Sequence, residues 1–138
     1  MITPAQMARS GSEDGEQLAI MCWCALNLKQ YPELRWLHHS PNGGFRNQRE
    51  AAKFKAMGVK RGFPDLTLPI RRKQYAGLYI ELKKIKGGVV SNEQAEWKTH
   101  LNEQGYYAKV CHGWLEAVAV LEVYLKLEKV TCTPPNNV

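Results

Sequence analysis

The chain is poor in cysteine, and its few cysteines are not arranged to hold a metal. Cys22, Cys24, Cys111 and Cys132 are all there are. Cys22 and Cys24 lie two apart on a predicted helix, where they face different directions, and no zinc-site spacing is present. Free thiols in a reducing cytosol are the expectation, not a disulfide scaffold. Long apolar runs are also missing. The longest, Leu18 to Leu26, is too short to span a bilayer, so no membrane partner is expected. No basic segment leads into an apolar one near the start, so no signal peptide is read. Repeats and low-complexity tracts are absent.

What is present fits one folded domain. At 138 residues the chain should form one core, and its hydrophobic fraction, 44%, is ordinary for a folded protein. The 19 Lys+Arg outnumber the 13 Asp+Glu, giving a formal net charge of +6. That balance favours an acidic partner such as nucleic acid.

Two stretches organise the rest: Gly62-Phe63-Pro64-Asp65-Leu66 and Leu78-Tyr79-Ile80-Glu81-Leu82-Lys83. Both alternate with period two, the mark of a strand with two unlike faces. Leu78, Ile80 and Leu82 point one way, and Tyr79, Glu81 and Lys83 the other. Leu66, Leu68 and Ile70 likewise oppose Phe63, Asp65 and Thr67. If the strands pair, Asp65, Glu81 and Lys83 converge. Two carboxylates offer hard oxygen ligands for Mg²⁺ or Mn²⁺. Such a metal polarises a phosphodiester and lowers the pKa of a bound water. A neighbouring lysine can hold that water or offset charge on phosphate, and the Leu82 backbone carbonyl would lie near the metal. An E-x-K on a strand is commonplace; joined to an upstream Pro-Asp with apolar flanks it is far more specific.

The remaining chain supplies helices and basic loops. Residues 1–11 read as a flexible lead. Ser10-x-x-Glu13 fits a capping box, opening a helix that runs to about Gln30. Its predicted buried stripe is Leu18, Met21, Cys22, Ala25 and Leu28. Glu13 borders the buried arc while Glu16 sits farther towards solvent, so Glu13 is the better candidate for an acid given to the site. Arg35 to His39 reads as a short strand. It runs into the turn Ser40-Pro41-Asn42-Gly43-Gly44, and Phe45 or Arg46 then opens a basic helix to about Met57. Gly43 and Gly44 could let a phosphate approach backbone N–H groups. Lys60 and Arg61 precede the Pro-Asp strand, where phosphate contact is plausible. Arg71-Arg72-Lys73 is a loop tip or a second phosphate contact, the loop being favoured. Ser91-x-x-Gln94 is a second capping box, and Gln94 could point back at the strand ends. The helix it opens runs to about Gln104, with Trp97 and Leu101 on its buried side. A strand from Tyr106 to Cys111 and an apolar helix from Trp114 to Leu127 follow. Residues 128–138 read as a loose tail. Strands mixed with helices in this order argue for an α/β or α+β layer fold.

The sequence resembles the virus-type replication-repair nuclease (VRR-NUC) family of the PD-(D/E)xK nuclease superfamily. The resemblance rests on Glu13-x-x-x-Gln17, Asn42-Gly43-Gly44, Gly58-Val59 leading to Gly62-Phe63-Pro64-Asp65, Ile80-Glu81-Leu82-Lys83, Lys86-Gly87-Gly88 and Ser91-x-x-Gln94. It implies an α/β, restriction-endonuclease-like core over residues 12–127, a mixed sheet flanked by helices. It implies a Mg²⁺- or Mn²⁺-dependent phosphodiesterase acting on DNA. Asp65, Glu81 and the Leu82 carbonyl would hold the metal, with Glu13 a further ligand from the helix; Lys83 would serve the water, and Gln94 matches the family's glutamine. Asn42, Gly43, Gly44, Arg46, Lys60, Arg61 and Lys86 would meet DNA. Stand-alone members resemble phage or prophage proteins working in a bacterial cytoplasm, similar to homodimeric resolvases of four-way junctions. A non-catalytic junction-binding module and a flap or duplex nuclease are the alternatives.

Overall fold

The alternation along Leu78–Lys83 divides the molecule into two layers. A computed structural model of the chain describes residues 1–41 and 47–131. Within them lie helices α1 (Pro4–Met7), α2 (Glu13–Leu26), α3 (Gln48–Ala56), α4 (Asn92–Glu103) and α5 (Trp114–Leu125). Strands β1 (His38–His39), β2 (Leu66–Leu68), β3 (Leu78–Lys83) and β4 (Tyr107–His112) form one sheet in that spatial order. The β1–β2 and β2–β3 pairs are antiparallel, and β3–β4 is parallel. A parallel pair needs a long crossover, and α4 provides it. The result is a mixed four-stranded sheet flanked by helices, the predicted α/β architecture.

Leu78, Ile80 and Leu82 of β3 are buried with Leu66 and Leu68 of β2 in the main core. Ile20 and Cys24 of α2 and Ala117, Val120, Leu121, Tyr124 and Leu125 of α5 close over that face. The other face of β3 lies under α4. There Trp97 meets Phe63 edge to face at 5.1 Å, Phe63 meets Tyr79 at 5.8 Å, and Tyr79 meets Tyr106 at 5.3 Å. Such aromatic pairs favour edge-to-face contact because ring edges are positive and faces negative.

α5 is held at both ends by charges from distant parts of the chain. Gly113 precedes it at φ 88 and provides no side-chain cap. The Glu16 carboxylate, 2% exposed, accepts the Trp114 backbone N–H at 2.6 Å instead. At the other end, the buried Arg72 guanidinium donates to the Leu125 carbonyl at 3.2 Å and pairs with Glu33 at 3.4 Å. An anion at a helix N-terminus and a cation at its C-terminus both match the helix dipole.

This clamp corrects several expectations. Glu16 is buried, not turned towards solvent, and the buried side of α2 is Gly15, Glu16, Ala19, Ile20 and Cys24. Leu18, Met21 and Leu28, expected inside, are exposed. A hydrophobic pattern could not show that a glutamate would be buried by a backbone N–H 98 positions away. Arg72 serves the fold and is not free to meet phosphate. α2 ends at Leu26 rather than near Gln30. The strand expected over residues 35–39 shrinks to His38–His39, because Pro32 starts a 3₁₀ turn reaching Trp36. Residues 1–11 hold α1, with a Thr3–Gln6 capping box, and a 3₁₀ turn at Ala8–Ser10. α3 begins at Gln48 under an Asn47 cap. The predicted glycine turn and helix start at residues 42–46 lie outside the described residues. So do residues 132–138 of the predicted tail.

The two glutamates of α2 should therefore behave differently in stability measurements. Glu16→Ala strands the Trp114 N–H and should lower unfolding free energy by about 1–3 kcal/mol. Glu13→Ala, at an exposed position, should change it by less than about 0.5 kcal/mol. Urea denaturation of the two variants checks the contrast.

Candidate active site

β2 and β3 stop pairing where the acids begin. Their register runs from Leu68 opposite Leu78 to Leu66 opposite Ile80. One step further the Asp65 carboxylate takes over from the backbone, accepting the Leu82 N–H at 2.7 Å. A strand residue directs its N–H and C=O to the same edge, so the Leu82 carbonyl faces the edge that Asp65 occupies. The Asp65 carbonyl is held in turn by the Ser40 N–H at 2.8 Å and lies 3.0 Å from His39 Nδ1. β1 thus fixes the backbone that carries the first acid.

Glu81 and Lys83 are 6% and 7% exposed, on the α4 face of β3. Lys83 Nζ stands 3.3 Å from Glu81 Oε1. Gln94 Nε2 donates to the same oxygen at 2.7 Å. The other end of that amide accepts the Ser91 N–H at 2.9 Å, while Ser91 Oγ accepts the Gln94 N–H. Capping α4 and gripping Glu81 are therefore one arrangement of one side chain. The approach of α4 depends on Gly62, at φ 83. A Cβ there would lie 2.5 Å from the Glu93 carbonyl carbon and 2.7 Å from the Gln94 nitrogen. No other residue could lay the Pro-Asp segment against the start of α4.

The two carboxyls act on each other. Burial, and then the negative charge of Asp65, push Glu81 up to about 8. Burial also raises Asp65, opposed by its hydrogen bonds from Leu82 and Glu81 and by the charges of His39 and Lys83. At neutral pH the pair shares a proton, with Glu81 donating to Asp65. Two adjoining acids, Glu81 buried and Asp65 half-buried, with a carbonyl on the same edge are a hard-oxygen set that fits a divalent cation. Among the described residues no third His, Cys, Asp or Glu joins it.

The structure thus brings Asp65, Glu81, Lys83, Gln94 and the Leu82 backbone together. Glu13 is exposed on the first turn of α2 and bonds neither carboxyl. Gln17, one turn further, has both side-chain amide atoms buried without a hydrogen-bond partner. A buried amide in this position can receive a water, an ion or a ligand. Lys60, Arg61 and Lys86 are exposed; Asn42, Gly43, Gly44 and Arg46 are outside the described residues. His39, at the end of the predicted short strand, meets the backbone of Asp65, and its place beside a strand that could pair with the Pro-Asp segment is a signal the sequence carries.

The shared proton sets a pH dependence in chelator. Between the ordinary glutamate value of 4.5 and about 8 the folded chain keeps a proton that the unfolded chain has released. Stability should therefore fall as pH rises through that window. Glu81→Gln should flatten the slope, as read by urea midpoints at pH 5, 6, 7 and 8.

The model of the VRR-NUC domain family matches residues 6–114. A solved structure of a VRR_NUC domain protein is 38% identical, superposes with a TM-score of 0.72, and is matched over 85% of this chain and 90% of its own. No match was found among curated proteins. The chain belongs to the VRR-NUC family and carries its nuclease-like domain on a restriction-endonuclease-like core.

Proposed function

We propose that the protein is a metal-dependent endonuclease that hydrolyses phosphodiesters in branched DNA, with the four-way junction as its substrate. The observation that carries this is the juxtaposition of half-buried Asp65 and buried Glu81 beside Lys83, at the point where two strands part. Asp65, Glu81 and the Leu82 carbonyl are suited to hold Mg²⁺ or Mn²⁺. The metal, when bound, would polarise the phosphodiester and make a bound water a stronger nucleophile.

The chain's own residues divide the remaining work. Leu82 N–H fixes the Asp65 carboxylate, and Gln94 fixes Glu81, so both acids are oriented before any ligand arrives. The Lys83 ammonium, on the same strand face as Glu81, can hold the attacking water or neutralise charge growing on phosphate. Glu13 and the orphan amide of Gln17 lie one turn apart on α2 and form the reserve from which a further contact can come. Exposed Lys60, Arg61 and Lys86, with the net charge of +6, suit a phosphate backbone. We further propose a homodimer, since two active sites related by a two-fold axis match the two-fold symmetry of a junction. A phage or prophage enzyme would work in the cytoplasm of a bacterial host. Among the described residues no helix is long and apolar enough to cross a membrane.

Labelled four-way junction, flap, single-stranded and duplex DNA, each with Mg²⁺, Mn²⁺ or chelator, provide the test. Metal-dependent paired nicks in the junction are expected. Asp65→Asn and Lys83→Ala should each lower the cleavage rate by about 10²-fold or more while junction binding persists. Gln94→Ala should lose about 10- to 100-fold, because it only orients Glu81. Cutting of flaps or duplex alone would overturn the junction assignment. Binding without cutting under any metal would overturn the catalytic one.

A further inference from the structure

A groove of about 450 Å³ lies beside this site, lined by Lys60, Arg61, Glu93, Glu96, Trp97 and His100. A second hollow of about 300 Å³ shares Lys60 and Trp97 with it and adds Gly58, Val59 and Phe63. Trp97 and Lys60 are therefore the wall between two recesses of small-ligand size. The wall is firmly placed. Trp97 Nε1–H donates to the Arg61 carbonyl at 2.9 Å, and its ring is braced by Phe63 at 5.1 Å and His100 at 6.2 Å. Its distance from the chemistry is short in both directions along the chain. Trp97 is three residues after Gln94 on α4, hence on the same helix face, and Phe63 is two residues before Asp65.

The lining has a particular chemistry. A large aromatic ring, held in place and half-buried, adjoins two exposed cations that form no ion pair among the described residues. Across it stand two exposed carboxylates, Glu93 and Glu96, which can accept hydrogen bonds from the exocyclic amines of bases but repel phosphate. Duplex DNA, which presents backbone and groove edges, makes poor use of a recessed ring. An unpaired nucleotide uses every part. Its base stacks on an aromatic side chain, its amine meets a carboxylate, and its phosphate meets lysine and arginine. We propose that this groove binds unpaired nucleotides of the DNA strand next to the scissile phosphate, stacking them on Trp97. This gives the enzyme a preference for branched DNA that exposes unpaired bases beside the branch point. The inference rests on the reading of the adjoining carboxyls as a nuclease site acting on DNA.

Binding can be measured without cleavage. The probe is a duplex with a short single-stranded tail carrying 2-aminopurine, compared with a blunt duplex of the same sequence, in chelator. The wild-type protein should quench 2-aminopurine on binding and prefer the tailed DNA. Trp97→Leu should remove the quench and weaken tailed-DNA binding by about tenfold, leaving blunt-duplex binding within about twofold. Because Trp97 also braces Phe63, Lys60→Ala is the companion variant. Lys60 is exposed and forms no ion pair among the described residues, and its loss should weaken tailed-DNA binding several-fold more than blunt-duplex binding with an unchanged Tm. Equal affinity for tailed and blunt DNA, or quenching that survives Trp97→Leu, would overturn the proposal. Cleavage by a wild-type enzyme that shows no tail preference would sink the groove alone. Tail binding with quenching by a protein that never cuts would sink the nuclease reading and leave the groove standing.

Discussion

The hydrogen bond from the Leu82 N–H to the Asp65 carboxylate, 2.7 Å long, is the constraint on which the site depends. It stands where the β2–β3 ladder would otherwise continue. Were backbone pairing to run on, Leu82 would be consumed by a carbonyl and its edge would be closed. Pro64, without an N–H, helps end the pairing there. An aspartate at the fork satisfies the backbone while keeping a second oxygen for chemistry. The edge so created is polar, sheltered and open to one side, and Glu81 and Lys83 are carried into it by the strand's own alternation.

Burial then gives these groups their character. Glu81 and Lys83 are nearly as inaccessible as the leucines of the core. Charges are rarely withdrawn from water to this extent without compensation. Here the compensation is mutual: lysine to glutamate, glutamate to aspartate through a proton, and glutamine across the top.

Much of this was legible in the sequence because it follows from period two. The faces of β2 and β3, the meeting of Asp65, Glu81 and Lys83, and the Ser91–Gln94 box all come from short-range rules, and the structure shows each of them. Gln94 went further than its local rule, since its amide has two ends and only one is used by the cap. The misreadings share a different cause. Glu16 and Arg72 were placed by local pattern as a surface acid and a loop cation. Their partners are backbone groups of α5, 98 and 53 residues away. Backbone N–H and C=O groups leave no trace in a side-chain pattern. For the same reason the apolar side chains of Leu18 and Met21 suggested an inner face that the buried glutamate contradicts.

The clamp on α5 bears on how the chain reaches this state. Its two stops come from α2 and from the β2–β3 connection, both made well before the helix itself. During synthesis from the N-terminus, Glu16 and Arg72 emerge while the α5 backbone groups they will bind do not yet exist. The first helix must hold a carboxylate that has no reason to leave water until the last helix arrives. Contacts spanning so much of the chain are entropically dear to close and tend to form late. The helix that closes over the acid-bearing sheet is thus the last helix of the chain, and none of the candidate site residues lies on it.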